Sequence, residues 1–385
     1  MSKPRHAAGW ARQLVMRHPG LTAAAGRARR RLARHPRLTA AAAAGLAAAA
    51  ALSAILALSS SGNPAPAPTR AAAAPPSRTV TPTPAARPAA TRSGPLLDPF
   101  TGEPVKVLGP VLAVKIDNIV YARPQTGLRS ADIVYVIPVE GGLTRFMAVY
   151  SSHVPPVVGP VRSARQSDLD LLRQFGRPAF AWSGATPHLV PFIERAPVAD
   201  LYALQVGGYY RSASRVAPYN LYADTRQLLR EAPGASKARD IGFRFGAEPG
   251  GTPAASYSVK YPAASYTFRW SASQKRWLTW IDGAPAEATE GGQLGGSTVV
   301  VQYTQITTSR FEEYGGRPPY AKSTGSGRAV ILRNGRVYSV RWSRPSLNAG
   351  TTYTLDGKRM LFAPGQVWVV LAPDSHASYV NAGKV

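Results

Sequence analysis

Apolar residues recur in short runs between glycine, proline and polar residues from about residue 96 onward, and these runs predict the secondary structure. Three runs rich in β-branched residues, at 111–117, 132–140 and 144–152, are typical of strands. Gly141-Gly142 separates the last two runs and predicts a tight turn between them. The fragment "PAFAWS" predicts one more strand.

Helical periodicity alternates with these strands. In "SDLDLLRQFG" two leucines and the phenylalanine form an apolar stripe, and Ser167 is the expected N-cap. "PHLVPFIER" predicts a short helix, and "DTRQLLREA" predicts a helix capped by Asp224. Because strands alternate with helices, we expect a mixed α/β layered domain over residues 96–235.

The pattern changes after a loop-like linker at 236–256. Asn334-Gly335 and Asp356-Gly357 each lie between two β-rich runs, which is a strong hairpin signal. The run "QVWVVLAP" predicts a last strand. Residues 257–385 are therefore expected to form a smaller, β-rich antiparallel domain, and the fold class is predicted as α+β.

An uncharged run, Leu38–Leu58, precedes the globular region. Its 21 residues would extend about 31 Å as a helix, which matches the hydrocarbon thickness of a bilayer. The arginine-rich segment 1–37 before it predicts a cytoplasmic N-terminus, and the Pro/Ala-rich segment 59–95 predicts a disordered stalk. We expect a single-pass cell-membrane anchor with the main domains extracytoplasmic. A cleaved signal peptide and a soluble Ala-rich helix are the alternatives.

The net charge of +26 is distributed over two regions. Lys3 and thirteen arginines precede Asp98, the first acidic residue, so residues 98–385 hold 32 basic and 20 acidic residues, a net +12. A basic surface of this kind suits anionic lipid or wall polymer. Nucleic-acid binding is not expected, because the basic tail is predicted to lie against the cytoplasmic membrane face.

Common catalytic and metal-binding motifs do not occur in the sequence. There is no P-loop, no G-x-S-x-G, no H-E-x-x-H and no S-x-x-K, and there are no cysteines. Disulfides, Cys-ligated metals and an acylated cysteine are therefore excluded. No cofactor and no metal site are predicted.

Four polar clusters next to predicted strand ends are the candidate site. Arginines close to a helix start can receive an anion, and a carboxylate among them could act as acid or base or could hold an arginine in place. Glu140 is the candidate catalytic residue. The candidate ligand-binding residues are Asp117, Asn118, Arg123, Gln125, Arg145, Arg162, Arg165, Arg211, Arg215 and Asn220. The alternative for each cluster is a purely structural ion network.

The order of these motifs resembles the YerB-like family of bacterial proteins, whose members are described as lipoproteins. The matching stretches include "DPFTGEP", "VKIDNIVYARPQTGLRSADIVYVIPVEGGLTRFMAVY", "GPVRSAR", "APYNLY", "GSGRAVILRNGRVYSVRW" and "FAPGQVWVVLAP". The resemblance implies an α/β first half, a β-rich second half and no established activity. Two positions depart from the family pattern, where Trp182 and Tyr219 replace the histidines that members tend to show, so a His-dependent reaction is doubtful here.

Three hypotheses follow for the function. The first is a binding module for an anionic cell-envelope component, such as a wall polymer or its precursor. The second is an envelope hydrolase or transferase that uses Glu140 with Arg145, Arg162 and Arg165; it requires Glu140 in a deep pocket with a raised pKa. The third is a protein–protein scaffold, which requires a large exposed apolar patch.

Overall fold

The computed structural model of the protein describes residues 94–312 and 316–373. The predicted tail (1–37) and membrane segment (38–58), with nearly all of the predicted stalk (59–95), lie outside these ranges. Within the part of the chain that the structure describes, no helix combines the length and the apolar character needed to cross a bilayer.

Strands dominate the described residues. The strands of the first half are β1 (Leu112–Ile116), β2 (Ile133–Pro138), β3 (Thr144–Tyr150), β4 (Val157–Val158), β5 (Ala179–Trp182), β6 (Ala199–Tyr202), β7 (Tyr209–Arg211) and β8 (Leu221–Asp224). Those of the second half are β9 (Thr252–Pro253), β10 (Ser256–Tyr261), β11 (Ala264–Ser271), β12 (Arg276–Ile281), β13 (Ala284–Pro285), β14 (Gly295–Gly296), β15 (Thr298–Thr304), β16 (Ile306–Thr308), β17 (Pro319–Ala321), β18 (Gly325–Arg333), β19 (Arg336–Arg344), β20 (Thr352–Leu355), β21 (Lys358–Arg359) and β22 (Val367–Pro373). The α-helices are α1 (Gln166–Leu172), α2 (Val190–Glu194) and α3 (Thr225–Glu231). Single 3-10 turns occur at Val120–Ala122, Leu128–Ser130, Glu140–Gly142 and Arg173–Phe175.

One twelve-stranded sheet contains strands from both predicted domains. Its order is β21-β20-β19-β18-β15-β22-β2-β3-β1-β5-β6, and β9 pairs with β19. The connection between the two halves is β22, which runs parallel both to β15 and to β2. The expectation of an antiparallel second half is therefore wrong for β22, because a strand inserted between β15 and β2 takes its direction from long-range pairing and not from its neighbours in sequence.

The large sheet is covered on both faces. On one face Phe146 and Trp368 pack against Phe268 of a second, five-stranded sheet, β10-β11-β12-β13 with β14. On the other face Met147 packs in a core with Leu172 and Phe175 of the α1 region. Strands buried on both faces need continuous apolar runs, which explains the composition of β1, β2 and β22.

Most predicted local elements are confirmed. The two hairpins turn at Asn334-Gly335 and Asp356-Gly357, and all four residues have positive φ, as a tight two-residue turn requires. Asp224 caps α3, because its Oδ1 accepts a hydrogen bond from Gln227 N at 2.8 Å.

The predicted cap of α1 is wrong. The helix begins at Gln166, two residues earlier than a cap at Ser167 requires, and the N-cap position is Arg165. Asp168 supplies the capping oxygen by accepting from Arg165 N at 2.6 Å. The Ser167 hydroxyl instead accepts from Ala321 N at 3.0 Å, so it ties α1 to β17.

The segment 236–256, expected as a linker, is packed against the rest of the chain. Ile241 is fully buried and Phe243 is 4% exposed, and both belong to the core on the α1 side of the sheet. Thr252 and Pro253 pair with β19. The domain boundaries stay a prediction from the sequence.

Candidate functional site

The register of β1 and β3 places Asp117 beside Arg145. Ile116 pairs with Phe146 in this antiparallel ladder, so the next residues outward are Asp117 and Arg145. The Asp117 carboxyl is almost fully buried, and its Oδ1 lies 3.8 Å from Nε of Arg145. A strand pairing thus brings together two candidates that are 28 positions apart in sequence.

Arg162 approaches the same carboxylate from the other side. The segment before α1 runs along the end of β1, since Asp117 N donates to Pro160 O at 2.9 Å and Arg162 N donates to Lys115 O at 2.8 Å. Nε of Arg162 then lies 2.8 Å from Oδ2 of Asp117. Neither atom has an aligned hydrogen bond, so this contact is an ion pair without good hydrogen-bond geometry.

Glu140 and Arg165 form a two-pronged ion pair. Nε and Nη2 of Arg165 donate to Oε1 and Oε2 of Glu140 at 2.6 and 2.8 Å. The Glu140 side chain is 35% exposed and that of Arg165 only 5%. Glu140 comes from the 3-10 turn between β2 and β3, where Gly141 and Gly142 have φ of 68° and 71°. Parallel N–H···O contacts of this type fix the orientation of both side chains.

Lys115 and Asp168 complete the charged set under this surface. Their side chains are fully buried, with Nζ 2.8 Å from Oδ1. Burial lowers the pKa of the Lys115 ammonium, and the charge of Asp168 opposes that change. The sequence analysis missed this pair, although a lysine inside the apolar run "VLAVKID" was a signal that a buried partner was needed.

Arg145 lies in the middle of the arginines. Its side chain is 13% exposed, and its Nη1 donates to Ser163 O at 3.2 Å. Burial, followed by the nearby charge of Arg165, lowers the pKa of the Arg145 guanidinium to about 10. Three guanidinium groups therefore share two carboxylates, those of Asp117 and Glu140. We call the set Asp117, Glu140, Arg145, Arg162 and Arg165 the arginine face.

Asn118, Gln125 and Arg123 connect the loop after β1 to the second sheet. The Asn118 amide nitrogen donates to Tyr266 OH at 2.6 Å, and Gln125 Nε2 donates to Asn118 Oδ1 at 3.0 Å. Arg123 Nη2 lies 2.8 Å from Oδ2 of Asp282. Asn118 and Gln125 are almost fully buried, so they hold the loop in place and are not accessible to a ligand.

The predicted candidates Arg211, Arg215 and Asn220 are also engaged internally. Arg211 Nη1 donates to Asn220 Oδ1 at 2.8 Å, and Asn220 is buried. Arg215 Nη1 donates to Ala122 O at 2.6 Å, and its Nη2 donates to Pro124 O at 2.5 Å. Arg215 thus joins its own loop to the loop after β1, a contact that sequence spacing could not predict.

An aromatic rim borders the arginine face. The Arg162 guanidinium lies 5.7 Å from the centroid of the Tyr219 ring, within cation–π range. Tyr219 in turn lies 5.6 Å from the ring of Tyr121, which is 66% exposed. Of the two departures from the family pattern, only Tyr219 is near the site. Trp182 is fully buried and donates to Asp200 Oδ1 at 2.6 Å.

No group of three or more His, Asp or Glu side chains is arranged to hold a metal among residues 94–312 and 316–373. The arginine face offers three guanidinium groups and the ion-paired carboxylates of Asp117 and Glu140. The rings of Tyr121 and Tyr219 lie at its border. This chemistry suits the reception of an anion.

Comparison with known proteins places the chain in a family. Residues 100–239 match the N-terminal domain, and residues 257–369 the C-terminal domain, of the "Protein of unknown function (DUF3048)". "Putative lipoprotein YerB" of Bacillus subtilis is 27% identical over 286 residues, which is 71% of this chain and 84% of the relative. The crystal structure of the Bacillus subtilis YerB protein superposes with a TM-score of 0.64 at 23% identity, covering 72% of this chain and 97% of that one. The chain thus belongs to the YerB-like family of proteins of unknown function.

Proposed function

We propose that the protein is a membrane-anchored, extracytoplasmic binding module that holds an anionic cell-envelope polymer, or its precursor, at the arginine face. The observation that carries this proposal is the position of Arg145, which lies among two other guanidinium groups; within the described residues, the carboxylates of Asp117 and Glu140 face these three positive charges. A phosphate or carboxylate group of the polymer would remove this local excess of positive charge.

The aromatic rim supports a polymer with sugar units next to its anionic groups. Tyr121 and Tyr219 present ring faces beside Arg162, so a polymer could contact a ring and a guanidinium at adjacent positions. The net charge of +12 over residues 98–385 would attract such a polymer over a longer range.

The sequence and the similarity to a relative both support a location at the cell membrane. The similarity to a protein named as a lipoprotein supports a membrane-associated, extracytoplasmic place. This chain has no cysteine that could carry a lipid, so the segment Leu38–Leu58 is proposed as the anchor, with the N-terminus in the cytoplasm.

Binding is favoured over catalysis because of the contacts of Glu140. Both of its carboxyl oxygens receive hydrogen bonds from Arg165, and the side chain is 35% exposed. A general acid or base needs an oxygen that can reach the substrate, usually in a water-poor pocket. The geometry favours the role of a partner that orients Arg165.

The test is sedimentation of the purified full-length protein, in mild detergent, with isolated anionic wall polymer. The variant Arg145→Ala/Arg162→Ala should lose most of the binding, and added salt should weaken binding by the wild type, because the contacts are charged. Arg226→Ala, which removes one exposed arginine from α3, is the matched control and should bind as the wild type does. If the folded double variant sediments as well as the control, the proposed site is wrong.

A further inference from the structure

A polar cleft lies at the end of the β2–β3 hairpin that is opposite to the arginine face. It has a volume of about 370 Å³, and residues of both halves of the chain line it. Asp132 precedes β2 and Ser152 follows β3, whereas the arginine face lies at the turn end of this hairpin. Because β2 has 6 residues, the two places are about 20 Å apart along the strands.

Arg276, at the start of β12, is held rigidly in this cleft. Its Nη2 donates to Gly295 O and, at 3.2 Å, to Oε1 of Gln366. The orientation of the Gln366 amide is itself fixed, since Nε2 donates to Leu128 O at 2.8 Å and to Ala131 O at 2.6 Å. Burial, followed by the charge of Arg129, lowers the pKa of the Arg276 guanidinium, so the half-buried group lies close to a second positive charge.

Arg129 is that second charge. It is exposed on the 3-10 turn before β2, and its Nη1 donates to Gly291 O at 2.6 Å. Among the described residues, no carboxylate lies within ion-pair distance of Arg129 or of Arg276. Within the described residues the hydrogen bonds of both guanidinium groups go to neutral acceptors, although Arg276 is half-buried.

The acidic residues that line the cleft form no direct ion pair with these arginines. Asp132 is 2% exposed and accepts from Ser151 N and Ser152 N at 2.5 and 2.9 Å through Oδ2. Its Oδ1 accepts from the Ser152 hydroxyl, whose oxygen is 3.0 Å from Nδ1 of His153. Glu103 also lines the cleft, but it is not within ion-pair distance of either arginine. Ser152 and His153 thus present polar groups in the same cleft as two cations.

We propose that this cleft binds the oxyanion group of a small ligand, a phosphate or a carboxylate, with Arg129 and Arg276 as its charge partners and hydrogen-bond donors. The volume is in the range of small-molecule sites. The position of the cleft, between residues of both halves, is also common for such sites. This site is separate from the arginine face, and its ligand is a small molecule and not a polymer.

The experiment is isothermal titration calorimetry of the full-length protein in about 0.1 M NaCl, which screens weak binding to the basic tail. Inorganic phosphate and succinate are titrated in separate arms. We expect saturable binding of one of them to the wild type. Each arginine supplies charge-assisted hydrogen bonds, so Arg129→Ala should weaken binding about tenfold, and Arg129→Ala/Arg276→Ala should abolish it.

Two controls keep the result decisive. Arg226→Ala removes an exposed arginine from another surface and should leave binding unchanged. Arg129 is exposed and contacts one carbonyl, so Arg129→Ala should stay folded even if the double variant does not, which circular dichroism checks. Saturation by phosphate alone, or by succinate alone, identifies the class of oxyanion. The absence of saturable binding in both arms, or equal affinity of Arg129→Ala and wild type, would overturn the proposal and would leave the polymer experiment unaffected.

Discussion

The arginine face and the Arg129–Arg276 cleft contain similar residues but different electrostatics. At the arginine face, Arg162 and Arg165 each reach a carboxylate, and Lys115 below them is paired with Asp168. In the cleft, the hydrogen bonds that Arg129 and Arg276 form within the described part of the chain go to carbonyl and amide oxygens. At the arginine face two carboxylates contact three guanidinium groups, whereas in the cleft no carboxylate of the described residues lies within ion-pair distance of either arginine.

This difference shows that the number of arginines in a motif does not decide how many of them pair with a carboxylate. The conspicuous sequence clusters "VEGGLTRF" and "GPVRSAR" supply each other with counter-charges. Arg129 and Arg276 are not among the predicted site residues, and they have no acidic partner within ion-pair distance among the described residues. Three predictions test the comparison.

The largest effect is expected from Lys115→Met, which breaks the ion pair under the arginine face. Asp168 would then be a buried, unpaired charge, so the free energy of unfolding should fall by about 3–5 kcal/mol. Urea unfolding followed by circular dichroism measures this change.

The control for this prediction is the double variant Lys115→Met/Asp168→Asn, which leaves no buried charge. It should recover part of the lost stability. If Lys115→Met lowers the free energy of unfolding by less than about 1 kcal/mol, the Lys115–Asp168 ion pair contributes no more to stability than a solvent-exposed pair does.

An intermediate, pH-dependent effect is expected in the cleft from Asp132→Asn. Burial raises the pKa of the Asp132 carboxyl to about 6, although its hydrogen bonds with Ser152 oppose that change. The pKa of an aspartate carboxyl in the unfolded chain is near 4. At pH values between about 4 and about 6, the folded state therefore binds this proton more tightly than the unfolded state does. The free energy of unfolding of the wild type should therefore decrease as the pH rises from about 4 to about 6, by at most about 3 kcal/mol relative to Asp132→Asn.

Asp240→Asn provides a control of opposite sign. The hydrogen bonds from Arg244 lower the pKa of the Asp240 carboxyl, so its contribution is present above the unfolded pKa and is lost as the pH falls below it. Urea unfolding at half-unit pH steps separates the two curves. Parallel wild-type and Asp132→Asn curves from pH 4 to 6 would contradict the assignment.

The smallest effect is expected from Glu140→Gln at the arginine face. Arg165 is nearly buried but keeps one side-chain acceptor in the variant, so the loss of stability should be about 1–2 kcal/mol. Sedimentation with the wall polymer should change little, because Arg145 and Arg162 keep their positions. Complete loss of polymer binding in a stable, folded Glu140→Gln protein would assign Glu140 a direct part in ligand contact.

The sequence predicted those parts of the fold that depend on local chemistry. Asn334-Gly335 and Asp356-Gly357 form the expected hairpin turns, because each of these residues adopts positive φ at little cost. Asp224 caps α3 for an equally local reason. The Ser167 cap failed because the helix already begins at Gln166, where Asp168 accepts from Arg165 N, and because the Ser167 hydroxyl accepts from Ala321 N of β17, more than 150 positions away.

The sequence predicted which residues form the candidate site but not which of them contact each other. The neighbours Asp117, Arg145 and Arg162 were found because polar residues at strand ends stand out against apolar runs. Asn118, Gln125 and Arg211 were expected to bind a ligand, yet each one holds a loop or a neighbouring side chain. Sequence spacing alone cannot distinguish an arginine that points to solvent from one that is paired across the fold.

The sequence by itself determined the hairpin turns, the apolar central strands, the family and the charged residues near strand ends, because each depends on neighbours in the chain. Only the tertiary structure decided that β22 joins both halves in one sheet, that Lys115 is paired with Asp168, and that Arg129 meets Arg276 across a cleft. These features depend on contacts between distant residues, and the free energy of burying a charge is set by whichever partner the fold brings within a few ångströms.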